Sequence, residues 1–267
     1  MIDILNLINE AKRGGYSETN AEAKVSQDII LMLISRSTLS KNVAVKGGVV
    51  MRCLSNDMRR ATQDLDLDFI KFSLEDDSIE TFVKKLNSVG VISINRYGKI
   101  EELKQQDYHG KRIFVELTDE SGYVLKTKID LGVHAKLEIV QEEFFFDVGL
   151  NDESVSLLIN SKEQMFVEKL RSLLKFGPFS TRYKDIFDIY FLSSRVDNDR
   201  LFGCIEQIIF DDEKMRENNM ADIINRVKNT FKDKTYVSRA EKSQKNWLDE
   251  DLDTVLDRIV SFLKSIA

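Results

Sequence analysis

Two aspartates one residue apart, Asp64 and Asp66, stand in the run 64–69 (Asp-Leu-Asp-Leu-Asp-Phe), where acidic and apolar residues alternate. Period-two alternation reads as a half-buried strand, with both carboxylates on one face and Leu65 and Leu67 in the core. Neighbouring carboxylates repel each other, and strands disfavour Asp. A hard cation that takes oxygen ligands, such as Mg²⁺, removes that repulsion. The plainer alternative is a solvated acidic strand face. Upstream, the apolar residues 43–45 run through Lys46 into Gly47-Gly48, and a helical pattern follows at Val49, Val50, Met51 and Leu54. A glycine pair between strand and helix lets the backbone approach a phosphate closely, with the first helical N–H groups aimed at it. A phosphate cradle beside a carboxylate pair fits a nucleoside triphosphate with magnesium.

Asp130, between Ile129 and Leu131 on a strand pattern, is the candidate third carboxylate. Its other reading is a cross-strand ion pair with Lys126 or Lys128, which share its face by alternation. The two histidines, His109 and His134, have no Cys or carboxylate at ligand spacing, so no zinc site is expected. No nucleophile motif supports serine–histidine catalysis.

The elements that must position these groups follow from periodicity. Helices are expected over 2–12 and 20–36, over 43–70 the strand–helix–strand unit just described, then a helix over 78–88 and a strand over 89–94. Residues 112–118 and 122–133 form the clearest hairpin, turning at 119–122, and further strand is expected over 137–147 and 153–159. Phe144, Phe145 and Phe146 read as core. From residue 160 the pattern becomes helical. Ser161 caps a helix that buries Phe166, Val167, Leu170, Leu173 and Leu174, and Gly177-Pro178 break it. A second helix begins near Thr181 and carries Arg182-Tyr183-Lys184-Asp185, with Asp188 a turn later. Within it, Arg182–Asp185 and Lys184–Asp188 also fit ordinary helix ion pairs. Amphipathic helices are expected over 199–231 and 249–265, joined by a basic link over 232–245 with Trp247 just beyond it, a weak candidate contact for nucleic acid or a partner.

A chain of 267 residues can bury a sizeable core as one domain or two. The net charge of −6 supplies no global basic field, so a nucleic-acid contact needs a local patch. Cys53 and Cys204 lie far apart in apolar helical patterns and read as free thiols. No apolar run approaches the roughly 20 residues that span a bilayer, and no signal-peptide pattern opens the chain. The expectation is a cytoplasmic protein without a membrane partner.

Gly-Gly, a helix, then Asp-x-Asp on the next strand resembles the nucleotidyltransferase fold of the DNA polymerase β type. The form here, Lys46-Gly47-Gly48 followed by Arg60-x-Thr62-x-Asp64-x-Asp66, looks like the AbiEii/AbiGii toxin branch. Lys169 in one helix, then Arg182-x-Lys184-Asp185-x-x-Asp188 opening the next, resembles the second half of that family. The superfamily usually has Gly-Ser where this chain has Gly47-Gly48, and the toxin branch often has Thr or Ser where this chain has Val49.

The resemblance implies an α+β nucleotidyltransferase fold, a mixed sheet flanked by helices, over residues 1–160. A C-terminal helical bundle over 161–267 would close the active-site cleft. It implies Asp64, Asp66 and Asp130 as ligands of Mg²⁺, two ions in number, with Lys169 and Asp185 as further catalytic residues. Lys46, Gly47, Gly48, Thr62, Lys169, Arg182 and Lys184 would bind the NTP. The implied activity is transfer of a nucleoside monophosphate to an RNA acceptor, with the tRNA 3′ end foremost, by a growth-arresting bacterial toxin of a toxin–antitoxin or abortive-infection system. A winged-helix antitoxin would be its partner. Two rivals share the fold: an aminoglycoside-type small-molecule nucleotidyltransferase and a non-catalytic nucleotide-binding module.

Overall fold

The computed structural model describes residues 2–103, 110–134, 138–150 and 153–267. His109 and the first residue of the strand expected over 137–147 lie outside these. The chain forms two compact units, Met1–Asn160 and Ser161–Ala267.

In the first unit, α1 (Ile4–Arg13) and α2 (Glu18–Arg36) precede β1 (Val43–Lys46), α3 (Gly47–Ser55), β2 (Leu65–Phe69) and α4 (Asp76–Asn87). Then come β3 (Ser93–Glu102), β4 (Lys111–Thr118), β5 (Val124–Val133), β6 (Glu142–Leu150) and β7 (Glu153–Ile159). Among the described residues the strands form one mixed seven-stranded sheet in the order β3-β4-β5-β2-β1-β7-β6. The alternation of β2 has its expected effect: Leu65, Leu67 and Phe69 are buried, with Phe69 against Phe72 and Phe82. Helix α2 buries Ile29 through Ile34 without interruption, so it is a core helix rather than an amphipathic one. Its Gln27 Nε2 donates to the carbonyl of Thr62 at 3.0 Å and so fixes the turn that enters β2.

Two expectations here are corrected. The strand expected over 89–94 begins only at Ser93 and continues to Glu102, because Gly90 takes a left-handed φ of +75° in a turn that ends α4. Of the three phenylalanines, Phe146 is buried while Phe145 is 71% exposed, since successive strand residues face opposite sides of β6.

The second unit is helical: α5 (Lys162–Phe176), α6 (Tyr183–Ser193), α7 (Asn198–Ile205), α8 (Met220–Lys232), α9 (Lys234–Lys242) and α10 (Leu252–Ser265). Ser161 Oγ accepts from the N–H of Gln164 at 3.1 Å, the expected cap, and a 3₁₀ turn at Gly177–Phe179 separates α5 from α6. The helix expected over 199–231 is two helices. A π turn at Glu206–Phe210 ends the first, and Asn219 caps the second by accepting from the N–H of Asp222. The link expected over 232–245 is largely helix α9, which starts at the Asp233 cap and buries Tyr236 and Ala240. The basic residues of this stretch are simply the solvent side of an amphipathic helix. Trp247 is 2% exposed and so offers no surface to a nucleic acid.

Candidate active site

Strand pairing gathers the acids. β1 runs antiparallel to β2 with Lys46 opposite Asp66; β2 runs parallel to β5 with Asp66 opposite Asp130; β5 runs antiparallel to β4 with Asp130 opposite Arg112. β4 in turn places Arg112 opposite Glu101 of β3. Paired positions on adjacent strands project to one face. A single row therefore crosses five strands as Lys46, Asp66, Asp130, Arg112, Glu101, with two carboxylates at its centre.

The glycine pair fits against this row. Gly47 has φ +67°, and a Cβ there would lie 2.5 Å from Oδ2 of Asp66. A Cβ on Gly48 would lie 2.5 Å from Oγ1 and 2.7 Å from Cβ of Thr62. Only glycine fits at these positions, because the backbone entering α3 lies directly against Asp66 and Thr62. The structure thus brings Gly47, Gly48, Thr62, Asp64, Asp66 and Asp130 together. Lys46 occupies the N-cap position of α3 without a side-chain cap bond and is almost fully buried, with Nζ 2.7 Å from Oδ1 of Asp68.

Asp130 and Asp64 each carry a cation. Arg112 donates through Nε to Oδ1 of Asp130 at 2.7 Å and through its terminal nitrogen to Oδ2 at 2.8 Å. This bidentate pair pushes the Arg112 pKa further up, its bond to Asp130 outweighing partial burial. Lys128 holds Asp64 at 2.7 Å, and Lys126 holds Glu116 at 3.2 Å. The expected partners of Asp130, Lys126 and Lys128, are therefore engaged elsewhere. The reason is register: Asp130 faces Arg112, whereas Lys128 lies beside the residue that precedes β2. Arg112 and Asp68 escaped the sequence reading. The signal that could have found Arg112 is the hairpin register, which follows from the turn at 119–122.

Oxygen donors on one face of adjacent strands suit a hard cation. Among the described residues, however, no three acidic, His or Cys side chains already converge on one point as a metal cluster. Arg112 and Lys128 hold Asp130 and Asp64. The donor set fits Mg²⁺ in chemistry, provided that these two cations swing off Asp130 and Asp64.

In the second unit, the Nζ of Lys169 lies 3.0 Å from Oδ1 of Asp185 and 2.7 Å from Oδ2 of Asp188. Arg182, largely exposed, reaches Oδ2 of Asp185 at 2.9 Å, the expected helix pair. Asp188 is fully buried, with Nε1 of Trp247 donating to its Oδ1 at 3.1 Å. Lys184 opens α6 beside Asp185. Tyr236 lies beside this cluster, its ring 5.7 Å from that of Tyr183, and burial together with Tyr183 and Asp185 pushes its pKa upward. Trp247 and Tyr236 were not read as part of this group, because they follow Asp188 by some fifty residues or more.

The model of the family described as "Nucleotidyl transferase AbiEii toxin, Type IV TA system" matches residues 29–263, most of the chain. No curated protein matches the sequence. No described helix is long and apolar enough to cross a membrane.

Proposed function

The chain belongs to the AbiEii nucleotidyl transferase toxin family of type IV toxin–antitoxin systems, and we propose that it transfers a nucleoside monophosphate from an NTP to an RNA acceptor, the tRNA 3′ end first among candidates. The observation that carries this reading is Asp66 opposite Asp130 on adjacent parallel strands, with Gly47 packed against Asp66.

Asp64, Asp66 and Asp130 are the residues that would hold Mg²⁺. When bound, such ions would stabilise the attacking and leaving oxygens of an in-line displacement. The backbone N–H groups at Gly47 and Gly48 bind phosphate oxygens at the start of α3, where the helix dipole favours negative charge. Thr62, against Gly48, fixes the width of that cradle. Lys46 acts on it indirectly: its bond to Asp68 holds the strand from which the glycines leave. Asp130, once released by Arg112, is placed to accept the proton of the attacking hydroxyl. Lys169, Arg182 and Lys184 are assigned the remaining charge of the triphosphate, Arg182 by bidentate bonds and the lysines as point charges. Asp185 and Asp188 orient Lys169. A toxin of this family is countered by an antitoxin, for which a winged-helix protein is our proposal.

Incubation with total bacterial RNA, Mg²⁺ and each α-labelled NTP in turn, beside Asp66→Ala, tests the reading. Label in a tRNA-sized band, lost in the variant, supports it. In a parallel incubation with an aminoglycoside added, label entering it and no RNA would move the acceptor to small molecules.

A further inference from the structure

One step along the strands from the acids, the same sheet face changes character. Lys128 of β5 stands opposite Phe114 of β4, which stands opposite Tyr97 of β3. The next paired position carries Lys126. The Tyr97 and Phe114 rings lie 5.8 Å apart, and the Nζ of Lys126 sits 5.0 Å from the centre of the Tyr97 ring. These side chains line an open cavity of about 290 Å³, whose other wall is the first half of α2 and whose floor reaches Gln63, next to Asp64. Lys128 joins the cavity to the acids, since its ammonium is the one that holds Asp64.

We propose that this cavity is the acceptor subsite, and that it takes an unpaired nucleotide of a single-stranded RNA end, with its base against Tyr97 and its phosphate on Lys126. The inference rests on the nucleotidyl-transfer reading and deepens it. Three observations on the page carry it. First, in-line displacement puts the attacking and leaving oxygens on opposite sides of the phosphorus. The glycine cradle lies on the β1 side of Asp66, and the cavity lies on the far side, across β5, β4 and β3. Phosphates held at the glycines leave the cavity side for the attacking hydroxyl. Second, half-buried aromatic rings interleaved with lysines match the chemistry that holds single strands, in which bases stack and cations follow the backbone. The chain's net charge of −6 makes a local patch of this kind necessary for any RNA contact. Third, the cavity presents Lys126 and Lys128 beside a single lining carboxylate, Glu22, while their partners Glu116 and Asp64 lie outside the lining, so a bound phosphate takes Lys126 from Glu116. A base paired in a duplex keeps its faces inside the stack, so the cavity selects an unpaired end.

The probe is a short 5′-fluorescein-labelled single-stranded RNA with a free 3′ hydroxyl, followed by fluorescence anisotropy with the intact protein. Tyr97→Ala is expected to weaken binding about 5- to 100-fold, the range for loss of one base–aromatic stack. Tyr97→Phe retains binding, and a blunt duplex of the same sequence binds more weakly than the single strand. Lys126→Glu, at a mostly exposed side chain, weakens binding without a change in far-ultraviolet circular dichroism. Equal RNA affinity of wild type and both Tyr97→Ala and Lys126→Glu overturns the inference, as does displacement of the RNA by an aminoglycoside in preference to unlabelled RNA. Binding of NTP with Mg²⁺ is followed separately and stays unchanged in Tyr97→Ala. If wild type binds the RNA through Tyr97 yet transfers no nucleotide, the subsite stands and the transfer reading falls. If Tyr97→Ala transfers with an unaltered KM for RNA, the subsite falls and the transfer reading stands.

Discussion

The indole N–H of Trp247 donates to a carboxylate oxygen of Asp188 at 3.1 Å, and both side chains are almost wholly buried. The second oxygen of Asp188 faces the ammonium of Lys169 at 2.7 Å. An uncompensated carboxylate here would be costly, and the indole and the ammonium together compensate Asp188 and aim it. Trp247→Phe keeps an aromatic ring, smaller than the indole, and removes the donor, with an expected loss of at least about 1–3 kcal/mol of stability in urea unfolding. Asp188→Ala leaves Lys169 with Asp185 alone and is expected to cost about 3–5 kcal/mol. Trp247 is the only tryptophan in the chain. Its fluorescence emission should therefore shift in Asp188→Asn; an unaltered spectrum would contradict the hydrogen bond.

Gly47→Ala forces a side chain into a left-handed conformation and against Asp66. The strain alone is expected to cost about 1–3 kcal/mol, and nucleotide binding should weaken as Asp66 is pushed aside. Gly48→Ala should clash with Thr62 and recover partly in a Thr62→Gly background. A double-mutant cycle on unfolding free energy is expected to return a coupling of at least about 0.5 kcal/mol. Strict additivity would show that the two residues do not touch.

The proposed Mg²⁺ site would set the ion against Arg112 for Asp130. Arg112→Met leaves that buried carboxylate short of its partner, for an expected loss of about 1–3 kcal/mol in metal-free buffer. Mg²⁺ should then raise the melting temperature of Arg112→Met more than that of wild type. An equal rise in both would argue that Asp130 does not bind the ion.

Asp119 ties α1 to the β4–β5 turn. It accepts from the N–H of Ile4 at 3.0 Å, of Ser121 at 2.9 Å and of Tyr123 at 3.0 Å, and from the Ser121 hydroxyl at 2.6 Å. Burial would raise its pKa, but the Ser121 hydroxyl and the three N–H groups outweigh it and hold the carboxyl below the usual range. Because the folded pKa is depressed, the stabilisation is fully present above the unfolded value of about 3.9 and fades as pH falls through the folded value. Asp119→Asn should therefore be less stable than wild type at neutral pH, by about 1–2 kcal/mol, and the gap should close in acid. A gap that stays constant with pH would refute the linkage.

Much of the fold was legible because it rests on local signals. Period-two alternation placed Leu65 and Leu67 inside, and the Ser161 cap and the Gly177-Pro178 break bounded α5. The elements that went astray were those decided by a turn inside an apolar pattern: Gly90 before β3, and the π turn that divides 199–231. Periodicity continues through such turns, whereas the backbone does not.

By itself the sequence determined the family pattern, the strand that carries Asp66 with Asp64 just before it, and the glycines that must lie close to something. Side-chain period and the steric demands of glycine are properties of neighbouring residues, so they can be read along the chain. Only the tertiary structure decided that the close neighbours are Asp66 and Thr62. It also made Arg112 rather than a lysine the partner of Asp130, and brought Trp247 back to Asp188. Those pairings depend on strand order, register and helix packing between residues distant in sequence, and a shift of one residue in register would have turned each side chain to the opposite face.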